Sequence, residues 1–378
     1  MPGLLPQVDP DGLLEYSVVY TDRALNHMSQ SFQTVMRDIS RTLKAVYGAQ
    51  SAIVIPGSGT FGMEAVARQF ATGKRCLVIR NGWFSYRWTQ IFETGNIPSE
   101  ARVLKAQPTE PGPQPHFAPP PLDDVLAAIR EFKPEVVFAA HVETASGILL
   151  PDDYIRRVAD AVHAEGGLFV LDCIASGTLW VDMRDVRVDV LISAPQKGWT
   201  SSACCGLVML GETARQRIES TQSTSFACDL RKWLGIMEAY EKGGHAYYTT
   251  LPTDSLAVLR DVMLETDTYG YDKVKAEQRQ LGDAVRALLR ERGFKSVAAP
   301  GFEAPGVVVS YTVDDGIQST RKFAQAGLQA AAGVPLACDE PEGFKTFRIG
   351  LFGLDKLHNP QRTVETLARA LDKIGADA

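Results

Sequence analysis

The amino-acid sequence predicts an α/β protein: a largely parallel sheet covered on both faces by helices, followed by a second, smaller α/β unit. Three observations carry this expectation. Short apolar runs alternate with helical patterns from about residue 30 onward, and the runs lack the polar alternation of a half-exposed strand. Glycine and polar residues gather just after each run, at the edge where open α/β sheets hold ligands.

Taken in order, "SFQTVMRDISRTLKAVYG" spaces Phe32, Val35, Met36, Ile39, Leu43 and Val46 along one helical face, with Gly48 as a stop. "SAIVIPG" is a short strand and the segment after Gly62 a helix. "KRCLVIRNG" (74–82) is a strand ending at Asn81-Gly82. "QPTEPGPQPHFAPPP" (107–121) is proline-rich and is expected to be a surface loop, leading into a helix over Leu122 to Phe132. "PEVVFAAHVETASG" is a strand running into a polar loop, and "DDYIRRVADAVHAEGG" a helix. "LFVLDCIAS", "VDVLISAPQK" and "CCGLVML" (204–210) are buried strands. After residue 253 the texture changes. Long charged helices (about 254–293), strands at "KSVA", "GVVVSYT" and "FKTFRIGLFG", a helix at 318–332 and a final helix at 362–373 read as a small domain. The expected division is a large domain over 1–253 and a small C-terminal domain over 254–378.

A chain of 378 residues, 45% hydrophobic and 22% charged, suits two globular domains. The net charge of −6, with basic residues dispersed, argues against a nucleic-acid or membrane-surface role. No apolar run approaches the ~20 residues of a membrane span. The opening "MPGLLPQVDPDGLLEY" lacks the basic and apolar regions of a secretory signal. The cysteines Cys76, Cys173, Cys204, Cys205, Cys228 and Cys338 have no metal-binding spacing, so reduced thiols in a cytoplasmic protein are expected.

"IVIPGSGTFGMEA" (53–65) contains G-x-G-x-x-G after a strand and before a helix, the spacing of a dinucleotide-binding turn. The next strand ends Ile79-Arg80-Asn81, without the acid that would grip a ribose, and Arg80 leaves an NADP reading open. In either case the N–H groups of Gly59 and Thr60 at a helix N-terminus make an anion site, with the Ser58 and Thr60 hydroxyls as further donors. Asp172 is the only charge in an apolar strand, and Lys197 follows the end of another. A carboxylate and an amine at neighbouring strand ends, with a phosphate loop upstream, suit pyridoxal 5′-phosphate (PLP).

At these residues the sequence resembles a known family. "GSGTFGMEA", "RNGWFSYR", "HVETASGILLP", "LFVLDCIAS", "ISAPQKGW", "YYTTLP" and "FRIGLFG" have the order and spacing of class V, fold-type I PLP-dependent aminotransferases. They look most like the alanine–glyoxylate/serine–pyruvate aminotransferases. The resemblance spans roughly residues 25–375 and implies a mostly parallel seven-stranded sheet in the large domain. It implies that Lys197 bonds the cofactor aldehyde and shuttles protons, and that Asp172 pairs with the pyridine nitrogen. Phe84 and Ile174 would flank the ring and Thr144 would reach its hydroxyl. Ser58, Gly59, Thr60 and Gln196 would hold the phosphate, completed by Tyr247 and Thr250 from a second subunit, hence a homodimer with sites at the interface. Arg348 would pair with the substrate carboxylate, a bidentate task suited to a guanidinium. His141 reads as structural.

The implied activity moves an amino group from a small amino acid, such as alanine or serine, to a 2-oxo acid such as glyoxylate or pyruvate. One departure is the N-terminal "LLEYSVVYTDRALNHMSQSF", which lacks the family's Gly-Pro loop. A cysteine desulfurase or related lyase of the same fold would carry histidines where this chain has Gln196 and Phe84, and its only cysteine near the end is Cys338. An NADP-dependent oxidoreductase would leave Lys197 without a task.

Overall fold

The structure, a computed structural model, describes residues 13–375, so the reading of the first twelve residues lies outside it. Seven strands form the main sheet: β1 (Ser51–Pro56), β2 (Arg75–Arg80), β3 (Glu100–Lys105), β4 (Val136–Ala140), β5 (Leu168–Asp172), β6 (Val190–Ser193) and β7 (Cys205–Leu210). Their order is β1-β7-β6-β5-β4-β2-β3. From β6 through β3 every neighbouring pair is parallel. Strand β7 alone is reversed, antiparallel to both β1 and β6. Strands β4 to β7 are buried at every position, as apolar runs without alternation require when helices cover both faces.

Helix α1 (Gln30–Tyr47) follows the predicted face, burying Phe32, Val35, Met36, Ile39 and Leu43. The Ser29 hydroxyl caps it by accepting from the Phe32 N–H at 3.1 Å, and Gly48 ends it in a left-handed conformation. Helices α2 (Gly59–Phe70) and α3 (Trp83–Gly95) start directly after β1 and β2. A large apolar cluster runs from Phe32 to Met263, and a second gathers residues between Val274 and Leu371. Helix Thr253–Tyr269 reaches both: Leu256, Leu259 and Met263 join the first cluster, whereas Val262 and Tyr269 pack on the second. A third cluster joins Phe117, Val142, Ala145 and Ile148 to Val297, Val307, Val309 and Leu336, cementing the two regions beside the site.

The structure departs from the sequence reading at four places. Strand β3 was not read from the sequence, because an edge strand with its first three residues exposed carries no apolar run. The proline-rich stretch is not all surface: Gln107–Pro108 pairs with Phe117–Ala118, and Phe117 is fully buried in the third cluster. The helix expected over 318–332 stops early. Helices Asp315–Gln318 and Arg321–Gln325 give way at Gly327 (φ +91°) to a short strand, Ala331–Ala332, paired with Arg348 and Phe347. The strand read at "KSVA" is likewise reduced to a bridge between Ser296 and Ser310.

The contact that seats the site is between α2 and β7. A Cβ at Gly206 would lie 2.8 Å from the Ser58 carbonyl oxygen and 3.0 Å from Gly62 Cα. Gly206→Ala is therefore expected to destabilise the fold by about 1–3 kcal/mol through overpacking. The check is a lower denaturant midpoint at unchanged m-value; an unaltered midpoint would mean α2 is free to shift.

Candidate active site

The carboxyl ends of β2, β4, β5 and β6, the start of α2 and residues from beyond position 300 enclose one cavity of about 390 Å³, within the size range of small-ligand pockets. Ser58, Gly59, Thr60, Phe84, Thr144, Asp172, Ile174, Gln196, Lys197 and Arg348, all singled out in the sequence, line it. Tyr247 and Thr250 do not. They lie on the surface of the same chain, with Tyr247 54% exposed and its hydroxyl 3.3 Å from Thr250 Oγ1.

The loop after β1 is held by the Gly57 N–H, which donates to the Cys204 carbonyl at 3.0 Å, just ahead of β7. This aims the first N–H groups of α2 into the cavity, where they have no intrahelical acceptor. Gly59 is the close neighbour of Ile174: a Cβ there would stand 2.6 Å from Ile174 Cδ1.

Asp172 closes β5, level with Ala140 of β4 and Ile192 of β6. Burial raises its pKa to about 7, helped by the nearby Glu143 charge and opposed by the Ile174 N–H and by Arg87. That N–H donates to Oδ1 at 2.9 Å and is the carboxylate's hydrogen bond among the described residues, leaving Oδ2 open to a donor. Lys197 follows β6. Its Nζ has no anionic partner among the described residues and stands 5.4 Å from the Phe352 ring centroid. Burial, then the Arg348 charge, lowers its pKa toward the neutral amine.

Arg348 comes from the strand Thr346–Gly350, the middle strand of a separate three-stranded sheet. Its Nε donates to the Ala332 carbonyl at 2.8 Å, on the short strand that replaced the expected helix, so its two Nη groups remain for a ligand. His141 bears out its structural reading: buried, with its pKa lowered to about 4 by burial, it holds Ser176 Oγ at 2.7 Å through Nδ1.

Other functional residues escaped the sequence reading. Glu143, fully buried, accepts from the Ser85 N–H (2.8 Å), the Ser85 hydroxyl (2.7 Å), the Phe84 N–H (3.2 Å) and the Ala145 N–H (3.0 Å). An anion at the N-terminus of α3 is favoured by the helix dipole, and here it fixes the aromatic that walls the cavity. Its place directly before Thr144 in "HVETASG" was the available signal. Arg87 and Phe352 also line the cavity, with Ala331, Val307 and Met63. Cys338, the cysteine a desulfurase would need, is buried outside the lining; its thiol donates to the Arg80 carbonyl at 3.4 Å, and burial pushes its pKa to about 12.

A mostly parallel sheet with a lysine, an aspartate and an anion cup at its carboxyl edge is the layout of a fold-type I transferase. Alanine–glyoxylate aminotransferase from Nostoc sp. shares the fold, with a TM-score of 0.77 over 92% of this chain and 88% of that one, at 19% identity. Residues 11–321 match the aminotransferase class-V family, and the chain belongs to that family. Curated relatives include alanine–glyoxylate aminotransferase of Rattus norvegicus, 25% identical over 92% of this chain and 82% of the relative. Serine–glyoxylate aminotransferase of Methylorubrum extorquens is 24% identical over 93% and 85%. The protein is a transaminase.

The raised Asp172 pKa has a stability consequence. Aspartate in an unfolded chain titrates near ~3.9. Between there and about 7 the folded protein keeps a proton that the unfolded chain has lost, so stability of the cofactor-free protein falls as pH rises through that window and is flat above it. Asp172→Asn should match wild type near pH ~4 and exceed it by up to about 4 kcal/mol near pH ~8. Denaturant melts of the cofactor-free proteins at both pH values check this. A variant less stable than wild type at the higher pH would show that Asp172 is not buried as a lone carboxylate.

Proposed function

We propose that this transaminase uses PLP to move the amino group of a small amino acid, of alanine or serine type, to glyoxylate or pyruvate. The observation that carries the reading is the convergence of Lys197, Asp172 and Arg348 with the anion cup in one cavity. The residues fit the cofactor. Asp172 offers an unbonded carboxylate oxygen where a pyridinium N–H needs a partner. Gln196 has a buried amide oxygen without a partner, and turning that amide over presents its NH₂ to a phosphate. The first N–H groups of α2 supply the anion site.

When bound, PLP supplies an electron sink for charge developing at the substrate Cα. Asp172 would pair with the ring nitrogen, whose positive charge would favour the carboxylate, and so keep that nitrogen protonated. Phe84 and Ile174, both in the cavity lining, would flank the ring and exclude water, and Thr144 would meet its hydroxyl. Arg348 takes the substrate α-carboxylate through its two Nη groups. Lys197, whose pKa is lowered by burial and by the Arg348 charge, would receive the Cα proton on Nζ as the neutral amine and return it. The relatives' names agree on glyoxylate or pyruvate as acceptor for several donors, which supports the acceptor class more than any one donor.

The homodimer belongs to the same reading. Tyr247 and Thr250 are absent from the lining of their own cavity, and exposed Phe226 (74%) lies against Tyr248 in a tilted ring pair with centroids 4.9 Å apart. Phe61, half exposed, adjoins Thr60 of the cup. These exposed apolar groups support a reading in which a second chain covers them and brings Tyr247 and Thr250 to the cup.

Two measurements test this. Purified protein should show the visible absorption of bound PLP, lose it in Lys197→Ala, and convert to the pyridoxamine form on adding L-alanine or L-serine; a colourless protein that retains NADPH would refute the cofactor. Mixing Lys197→Ala chains with Tyr247→Ala/Thr250→Ala chains should restore activity that neither has alone, since each hybrid dimer contains one intact site. Failure to restore it in confirmed hybrids would place Tyr247 and Thr250 outside the partner's site.

A further inference from the structure

Every residue so far assigned to the phosphate end of the cavity is neutral: Ser58, Gly59, Thr60, Gln196, Tyr247 and Thr250. A phosphate monoester carries nearly two negative charges at neutral pH, and enclosing it calls for a matching cation. Arg87 stands there. It follows Phe84 by three positions on α3, so both share one helical face. Its guanidinium carbon lies 5.2 Å from the Phe84 ring centroid, and its Nη1 donates to Thr60 Oγ1 at 2.9 Å. It lines the cavity beside Ser58 and Gly59.

Its lack of a counter-ion points to a ligand. Arg87 is half-buried, yet no carboxylate pairs with it among the described residues; its contacts are the Thr60 hydroxyl and the Phe84 ring. The nearby Arg68 of α2, by contrast, is satisfied by Glu64 at 2.7 Å. A partly desolvated guanidinium with only a neutral acceptor is costly until an anion joins it. Arg348 is also without a carboxylate, but the Ala332 carbonyl holds it at the small-domain side, where the substrate carboxylate belongs. Both guanidiniums face the Phe84 ring, Arg87 at 5.2 Å and Arg348 at 5.6 Å from its centroid, but it is Arg87 that bonds the Thr60 hydroxyl of the anion cup.

We propose that Arg87 is the cation of the phosphate end, its guanidinium pairing with the cofactor phosphate and steered there by Thr60 Oγ1. This rests on the PLP reading above, and the test separates the two. Cofactor-free full-length protein is titrated with PLP and with pyridoxal, which lacks the phosphate, using wild type, Arg87→Met and Arg87→Lys. Arg87→Met should weaken PLP roughly ten- to a hundred-fold, the scale of a hydrogen bond to a charged group, and leave pyridoxal unchanged. Inorganic phosphate should compete with PLP in wild type and lose that ability in Arg87→Met, while Arg87→Lys recovers part of both.

Equal losses for PLP and pyridoxal would overturn the proposal in favour of a purely structural role. Undiminished PLP affinity with a raised KM for L-aspartate but not L-alanine would overturn it in favour of a reader of substrate side-chain carboxylates. Matching far-UV circular dichroism and melting temperature show that the variants fold. A wild type that binds no PLP overturns the cofactor reading, and this assignment with it.

Discussion

The close approach of α2 to β7 governs the geometry of everything at the carboxyl edge of the sheet. At Gly206 the backbone of the helix start comes so near that a methyl group has no room, and Gly62 faces the same contact with its missing Cβ 3.6 Å from Gly206 Cα. Because β7 runs against its neighbours, its beginning and not its end lies at that edge. The residue before it, Cys204, therefore offers a carbonyl to the Gly57 N–H and anchors the loop that opens α2. A parallel strand in this position would have sent its own loop into the cavity. The reversed strand supplies an anchor and leaves the space to Asp172 and Lys197. The G-x-G-x-x-G spelling is thus satisfied for reasons of packing, with Gly62 against the sheet and Gly59 against Ile174.

Two buried carboxylates meet opposite fates within this frame. Glu143 is surrounded by N–H and O–H donors at the start of α3 and holds Phe84 and Ser85 in place. Asp172 has the Ile174 N–H and little else, so burial drives its pKa upward. Fully bonded carboxylates are scaffolding; an under-bonded one in an apolar setting stores unfavourable free energy that a cationic ligand relieves. The same contrast separates the chain's paired arginines from Arg348 and Arg87. Lys197 lies between these charges, and burial together with the Arg348 charge favours its neutral form.

What was legible in the sequence followed from how strongly burial shapes composition. Strands covered on both faces must be apolar throughout, so β4 to β7 stood out, as did the single charge Asp172 at the end of one. Edge strand β3 is half solvated and left no such trace. Residues 326–332 contain enough alanine to read as helix, yet the positive φ of Gly327 breaks it and pairing with Phe347 and Arg348 draws Ala331 and Ala332 into a sheet. Propensity lost there to a tertiary contact. Motif reading found the lysine, aspartate and Arg348 that line the cavity. It missed Glu143, which acts through the atoms it holds, and Arg87, whose position near Thr60 depends on the packing of α2 against α3 and cannot be read along one helix.

The division of the cavity between the two regions has a mechanical consequence. Lys197, Asp172, Phe84 and the anion cup all stand on the main sheet and its first helices, whereas Arg348, Phe352, Ala331 and Val307 come from beyond residue 300. The distance between the Lys197 amine and the Arg348 guanidinium therefore depends on how the residues beyond position 300 pack against the main sheet. Helix Thr253–Tyr269 is rooted in both apolar clusters, and the third cluster is packed between the two sides. Both features resist relative motion, because separating the sides would expose Phe117, Val142, Val307 and Leu336 to water at roughly 25 cal/mol per Å². The relative placement of Lys197 and Arg348 is thus set by hydrophobic packing some distance from the cavity, and not by the polar residues that line it alone.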